Sequence, residues 1–159
     1  MADTVSPEVR SRMMAGIRRR DTKPEWAVRR HLHARGFRYR LDVRKLPGSP
    51  DIVLSRHRAA IFVHGCYWHR HPGCRYATTP KSNAAFWKGK FDRNVERDAA
   101  AIGALEEAGW RVAVVWECGL RRDRLADSLD LLDAWIREGE GGIVVPEIPP
   151  RADAVNRRD

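Results

Sequence analysis

The chain has 159 residues and carries 30 Lys/Arg against 21 Asp/Glu, for a formal charge of +9 and an isoelectric point of about 10.2. That length suits one domain with a real core, and no apolar run approaches the roughly 20 residues of a membrane span. Met-Ala-Asp-Thr at the start is not expected to be a signal peptide, and three cysteines cannot pair fully, so metal binding in a reducing compartment is a better use for them than a disulfide.

The charge is concentrated early. Residues 1–45 hold 13 Lys/Arg against 5 Asp/Glu, a basic arm suited to a polyanion, nucleic acid before anionic membrane. Ser6-Pro7-Glu8 predicts a helix start, and the helix is expected to run to about Arg20, carrying Met14, Arg18, Arg19 and Arg20. Thr22-Lys23-Pro24-Glu25 has capping-box spacing and opens a second helix. Trp26, Val28 and Leu32 are its candidates for burial, and Gly36 ends it. Residues 37–41 alternate with period two and predict a strand with one polar face, followed by a loop over 45–50. Residues 52–54 and 59–63 flank Arg56-His57-Arg58 and predict an antiparallel hairpin, opened by Asp51 after Pro50.

Residues 65–80 are too rich in His, Cys and Gly for regular structure. Ser82 is placed to cap a short helix with Phe86 and Trp87, and a separate helix is expected over 91–108, closed by Gly109. The apolar run 110–116 predicts a central buried strand, with Cys118 just past its end. A last amphipathic helix is expected over about 122–137, with Leu125, Leu129, Leu132 and Ile136 on one face. From Gly139 the Gly, Pro and charge content predicts a loose tail. The expected organisation is a basic helical arm over 1–20, a core domain over 21–138 and a flexible tail over 139–159. The expected fold class is α/β, a mixed sheet covered on two faces by helices.

Cys66, His71 and Cys74 share one loop, and Cys118 ends a later strand. Together they form a Cys₃His set, the composition of a closed structural zinc site, with His64 and His69 as alternative imidazoles. A strand-opening carboxylate such as Asp51 is how metal-dependent nucleases of the restriction type present a ligand. Magnesium takes one or two carboxylates plus substrate phosphate oxygens, and His64 and His69 are candidate bases for the attacking water. Asn94, Arg97 and Asp98 lie within about one helical turn. Taken alone they are a solvated face, but Asp98 gains meaning if it orients an imidazole. Glu25 by itself is a cap. Tyr67, Trp68, Phe86 and Trp87 are either core or, beside a phosphodiester site, aromatic wedges between bases.

Five separated stretches carry a resemblance that spans roughly residues 6–137. They are Leu46-Pro-Gly-Ser-Pro-Asp51, Phe62-Val-His-Gly-Cys-Tyr-Trp-His69, Phe86-Trp87, Asn94-Val-Glu-Arg-Asp98 and the run from Gly109 to Cys118. In these the chain resembles the very short patch repair endonucleases, bacterial DNA mismatch endonucleases. The resemblance implies a restriction-endonuclease-like fold with a structural zinc, and a Mg²⁺-dependent nick 5′ to the thymine of a T·G mismatch left by deamination of 5-methylcytosine. It implies that Asp51 binds the metal, that His69 is the general base supported by Asp98, and that His64 lies at the scissile phosphate. It places Glu25 near the metals and phosphates, and Cys66, His71, Cys74 and Cys118 on zinc. Tyr67, Trp68 and Trp87 would form the wedge, with Met14 entering from the opposite groove. Arg18, Arg19, Arg20 and Asn94 would join the DNA contacts. Phe62 and His64 stand where restriction-type enzymes carry an acid and a lysine, a departure this family shares. Val63 replaces a threonine whose position would bind Mg²⁺ through its main-chain carbonyl. The Pro72-Gly73 insert loosens the His71–Cys74 spacing. The expected partners are double-stranded DNA with a T·G mismatch and mismatch-repair proteins, for a monomer at the nucleoid in the bacterial cytoplasm. The rivals are a related nicking or restriction endonuclease without mismatch preference, and a zinc-braced DNA-binding module without catalysis.

Overall fold

Thr22 caps the first helix, α1 (Lys23–Ala34), as its sequence predicts: its hydroxyl accepts the Glu25 N–H at 3.4 Å, and Pro24 sits in the first turn. The computed structural model describes residues 21–146 together with Ser6 and Glu8. The helix expected to reach Arg20, with Met14, Arg18, Arg19 and Arg20, lies outside the described residues, as does the chain beyond Pro146. Helix α1 buries Val28 and Leu32. Trp26, expected inside, is exposed and lies against the guanidinium groups of Arg29 and Arg30. At about 100° per residue, Trp26 is roughly 200° around the helix from Val28 and so faces away from the core.

Five strands form one sheet in the order β1 (Arg40–Leu41), β2 (Ile52–Leu54), β3 (Ala59–His64), β4 (Arg111–Trp116) and β5 (Ile143–Val145). The first two pairings are antiparallel and the last two parallel. The period-two pattern at 37–41 does bury Phe37 and expose Arg38 and Arg40, but only Arg40 and Leu41 enter the ladder. The partner strand ends at Leu54, where a 3₁₀ turn (Ser55–His57) and the left-handed Arg58, φ 51°, carry the hairpin over to β3.

Helices cover both faces. On one face α1 and α3 (Leu125–Glu138) bring Val28, Leu32, Leu129, Leu132 and Ile136 against Ile52, Leu54, Ile61 and Val115. On the other, α2 (Ala84–Glu107) packs Leu105 against Ala60, Phe62 and Val112. The two helices expected around Phe86 and Phe91 are this single helix, and Asn83, without a side-chain cap bond, precedes it instead of Ser82. Gly89 costs about 1 kcal/mol of helix propensity. Trp87 and Phe91 lie four apart on one face and are both buried, which offsets that cost.

Residues 139–146 are not a loose tail. Ile143–Val145 adds a parallel strand to β4. Its approach is fixed by Arg111, whose guanidinium donates to the carbonyls of Trp135, Ile136, Gly139 and His57 at 2.8–3.1 Å. The bonds to Trp135, Ile136 and Gly139 satisfy carbonyls at the end of α3, and the bond to His57 ties that end to the turn before β3. No helix among the described residues is long and apolar enough to cross a membrane. Val145 is 1% exposed and Val144 47%, so Val145→Asp should lower stability by at least about 3 kcal/mol. Val144→Asp should stay within about 0.5 kcal/mol. Urea unfolding midpoints of the two variants check this, and equal effects would mean that β5 does not pack as described.

Candidate functional site

Strand directions decide where the chemistry gathers. Strand β2 starts at the edge of the sheet where the antiparallel β3 ends, and β4, parallel to β3, ends there too. Asp51, His64 and Cys118 therefore emerge side by side. The turn before Asp51 packs tightly: a Cβ on Gly48, φ +72°, would lie 2.6 Å from the Ala101 Cβ and 3.2 Å from the Phe62 ring. Only glycine allows this loop to lie against α2.

Asp51 is half-buried, and its Oδ2 accepts the Val63 N–H at 2.7 Å. Burial pushes its pKa from an ordinary 3.8 to about 7, against the pull of the Val63 bond, with further upward pressure from Glu25 and Asp42 and a downward pull from His69. Burial likewise raises the Glu25 carboxyl, while the Asp21 N–H and Arg29 oppose it. Three carboxylates thus share one neighbourhood.

Next to them, the His64 and His69 rings stack at 3.9 Å with 3° between planes. His69 Nδ1 meets Asp98 Oδ2 at 2.6 Å. Buried His64 is pushed down to about 3, first by burial and then by His69 beside it, so it is neutral at pH 7. The loop over 65–80 supplies His69 and is tied to itself by Arg70, which donates to the carbonyls of Tyr67, Ala77 and Thr78 at 2.9–3.2 Å.

Cys66, His71, Cys74 and Cys118 are all buried, and their donor atoms lie within 4.8 Å of one another. His71 Nδ1 is 3.7 Å from Cys66 Sγ and 3.4 Å from Cys118 Sγ. A tetrahedral ion with bonds of about 2.3 Å to sulfur and about 2.0 Å to nitrogen requires about 3.6 Å between such atoms. The donor set therefore fits a zinc-like cation. Trp116 stacks on His71 at 4.3 Å and holds its plane.

The aromatics form one patch. Tyr67 meets Trp68 and Phe91 edge-on at 5.0 and 5.3 Å, and Lys90 lies over both Trp68 and Trp87. Asn94 donates to the Trp68 carbonyl at 3.0 Å and accepts from Arg97 at 2.8 Å. Trp87 is 8% exposed, whereas Phe86 is 60% exposed, so Phe86 is the ring offered to solvent at that end.

Comparison with known proteins gives this geometry its context. A family model described as DNA mismatch endonuclease Vsr matches residues 2–75. The type II nicking enzyme V.XorIIP of Xanthomonas oryzae pv. oryzae is 49% identical over 135 residues, covering 82% of this chain and 98% of that protein. The DNA mismatch endonuclease Vsr of Escherichia coli is 42% identical over 144 residues, 89% of this chain and 91% of its own. The chain belongs to the Vsr family of DNA mismatch endonucleases. The type II nicking enzyme V.NmeAIP of Neisseria meningitidis is 44% identical over 121 residues, 76% and 86% of the two chains. As a Vsr-family member the protein is a DNA endonuclease of mismatch repair. DNA is its partner.

Two parts of this candidate site escaped the sequence reading. Asp42 joins Asp51 just past the β1–β2 ladder, its N–H donating to the Asp51 carbonyl at 3.3 Å, and no local signal announces that. Arg29 grips Glu25, and the i,i+4 spacing was there to be read.

The raised Asp51 has a measurable consequence. Its folded pKa lies above the unfolded value, so the stability it contributes is fully present below about pH 3.8 and is lost as pH rises through about 7. Asp51→Asn removes that loss. In metal-free buffer the variant should gain on the native protein between about pH 4 and 7, by at most about 1.4 kcal/mol per pH unit, and level off above that. Urea unfolding at several pH values checks it, and a difference independent of pH would contradict the burial argument.

Proposed function

We propose that this endonuclease is Mg²⁺-dependent and nicks one strand 5′ to the thymine of a T·G mismatch left by deamination of 5-methylcytosine. Its frame is a restriction-endonuclease-like core, with zinc held by Cys66, His71, Cys74 and Cys118. The observation that carries the reading is that Asp51 and the His64–His69–Asp98 group lie together at one sheet edge. The oxygen donors of Asp51, with Glu25 and Asp42 nearby, suit a hard cation. The Val63 N–H points at Asp51, and a strand residue turns its N–H and C=O the same way, so the Val63 carbonyl faces that side too. Mg²⁺ bound there supplies charge neutralisation on the phosphate oxygens.

The protein's own groups do the rest. Asp98 takes the Nδ1–H of His69, which leaves the Nε2 lone pair to accept the proton of the attacking water. His64, neutral and stacked on His69, holds that ring and faces the scissile phosphate. Water then attacks phosphorus in line with the leaving oxygen. Tyr67 and Trp68, with Trp87 behind them and Phe86 at the rim, read the mismatch by wedging into the stack, where a mispair resists unstacking least. Met14 and the arginines at 18–20 grip the other side of the duplex.

One experiment tests the reading: single-turnover nicking of T·G and matched duplexes, with and without Mg²⁺. The native enzyme should cut only the T·G duplex, and only with the metal. Asp51→Ala should bind DNA without nicking it, and His69→Ala should lose about 10²–10⁴-fold in rate. Equal cutting of both duplexes would favour a nicking enzyme without mismatch preference, a reading the type II nicking relatives keep open.

A further inference from the structure

Arg70 belongs to a chain of net charge +9, but its guanidinium is turned inward. Nη1 donates to the carbonyls of Tyr67 at 3.2 Å and Thr78 at 2.9 Å. Nη2 donates to the Ala77 carbonyl and the Thr79 hydroxyl, both at 2.9 Å. An arginine has five N–H donors, and these bonds engage the four on its two terminal nitrogens, so the group is poorly placed to serve a phosphate. Its carbon lies 4.1 Å over the Phe91 ring and 5.8 Å from the Tyr67 ring. Tyr67 meets the same Phe91 edge-on at 5.3 Å.

The backbone at Arg70 is equally particular. Its φ of 57° is left-handed, uncommon for any residue but glycine. The turn sends its neighbours two ways: His69 goes to His64 and Asp98, and His71 goes among the thiols. The Cys₃His cluster gathers one side of the loop at the end of β4, and Arg70 closes the other side against α2. Phe91 precedes Asp98 by seven residues, two turns along one face of that helix. The Tyr67 ring, the Arg70 guanidinium and the His69 imidazole are thus all referred to α2.

We propose that Arg70 is a positioning residue for Tyr67: its planar fork, seated on Phe91, fixes the Tyr67 main chain so that the ring enters the duplex in register with His69. The inference rests on the reading of Tyr67 and Trp68 as a wedge. Two other roles are open to an arginine here, a phosphate contact and a tie that only stabilises the loop, and each gives a different result.

The test uses the full chain and a T·G duplex with 2-aminopurine beside the mismatch. Its brightening on binding reports unstacking, and single-turnover nicking, zinc content and melting temperature are measured alongside. Arg70→Asn keeps a residue that tolerates the left-handed backbone. It should bind matched duplex as the native protein does and retain its zinc. It should brighten the analogue less and nick about 10–10²-fold more slowly, the scale on which misplacing a reacting group costs rate. Arg70→Lys keeps the charge without the planar fork and should lose nearly as much. In a Tyr67→Ala background, Arg70→Asn should add nothing further. Native behaviour in Arg70→Lys would show that charge alone suffices, as in a phosphate contact, and would overturn the proposal. So would a lowered melting temperature with unstacking and nicking unmoved, or losses that multiply in the double variant. If Arg70→Asn does not fold, Thr79→Val removes one exposed bond of the same fork. It should reduce the brightening by a smaller factor, and an unchanged signal would equally overturn the proposal. A native protein that nicks the T·G duplex without brightening the analogue would instead remove the wedge reading, and this inference with it.

Discussion

The parallel pairing of β3 with β4 is the constraint on which the rest of the molecule depends. Six residue pairs run in register, from Ala59 opposite Arg111 to His64 opposite Trp116. Two residues beyond the ends of those strands stand Cys66 and Cys118, which is why thiols 52 positions apart in sequence meet at one imidazole. A slip of one residue would turn every side chain of the shifted strand to the opposite face. The His64–His69 stack and the thiol cluster would be lost together. The pairing is protected by burial on both faces, with α1 and α3 on one side and α2 on the other.

Charge is divided by depth. The chain as a whole carries +9, and the exposed helical positions Lys88, Arg93 and Arg97 present part of that excess to solvent. The acids that matter lie beneath. Burial disfavours the charged forms of Asp51 and Glu25, and the charges of Glu25 and Asp42 further oppose ionisation of Asp51. Such a cluster is poorly stabilised on its own and well matched to a cation. A basic exterior draws in a polyanion, and an acidic interior receives the counter-charge that polyanion needs where its bond is broken.

Much of this was legible in the sequence, for identifiable reasons. The hairpin, the central strand and the start of α1 each combine an apolar pattern with a local punctuation residue, and both signals agree. Strand β5 was hidden because three apolar residues between Gly142 and Pro146 are too few to show a period. Its stability comes from β4 and from Arg111, neither of which is local. The break expected between Phe86 and Phe91 does not occur, because Trp87 and Phe91, both buried on one face, hold the helix continuous through Gly89. In the site, residue type announced that the three cysteines would meet. Spacing was silent on which histidine joins them: His71 lies among the thiols, and His64 and His69 lie with Asp98. The grip on Glu25 was invisible behind a motif that already had an explanation.

The continuity of α2 has a consequence for how this chain can change in length. Trp87 and Asp98 stand on one uninterrupted helix, eleven positions and about 16 Å apart. The aromatic patch and the carboxylate behind His69 are therefore two marks on a single ruler. One inserted residue between them would rotate one mark by about 100° relative to the other and leave His69 without the Asp98 carboxylate. Loops elsewhere can grow or shrink by single residues. This interval tolerates only whole turns, and each of those would move the aromatic patch away from the reacting bond by a helical pitch.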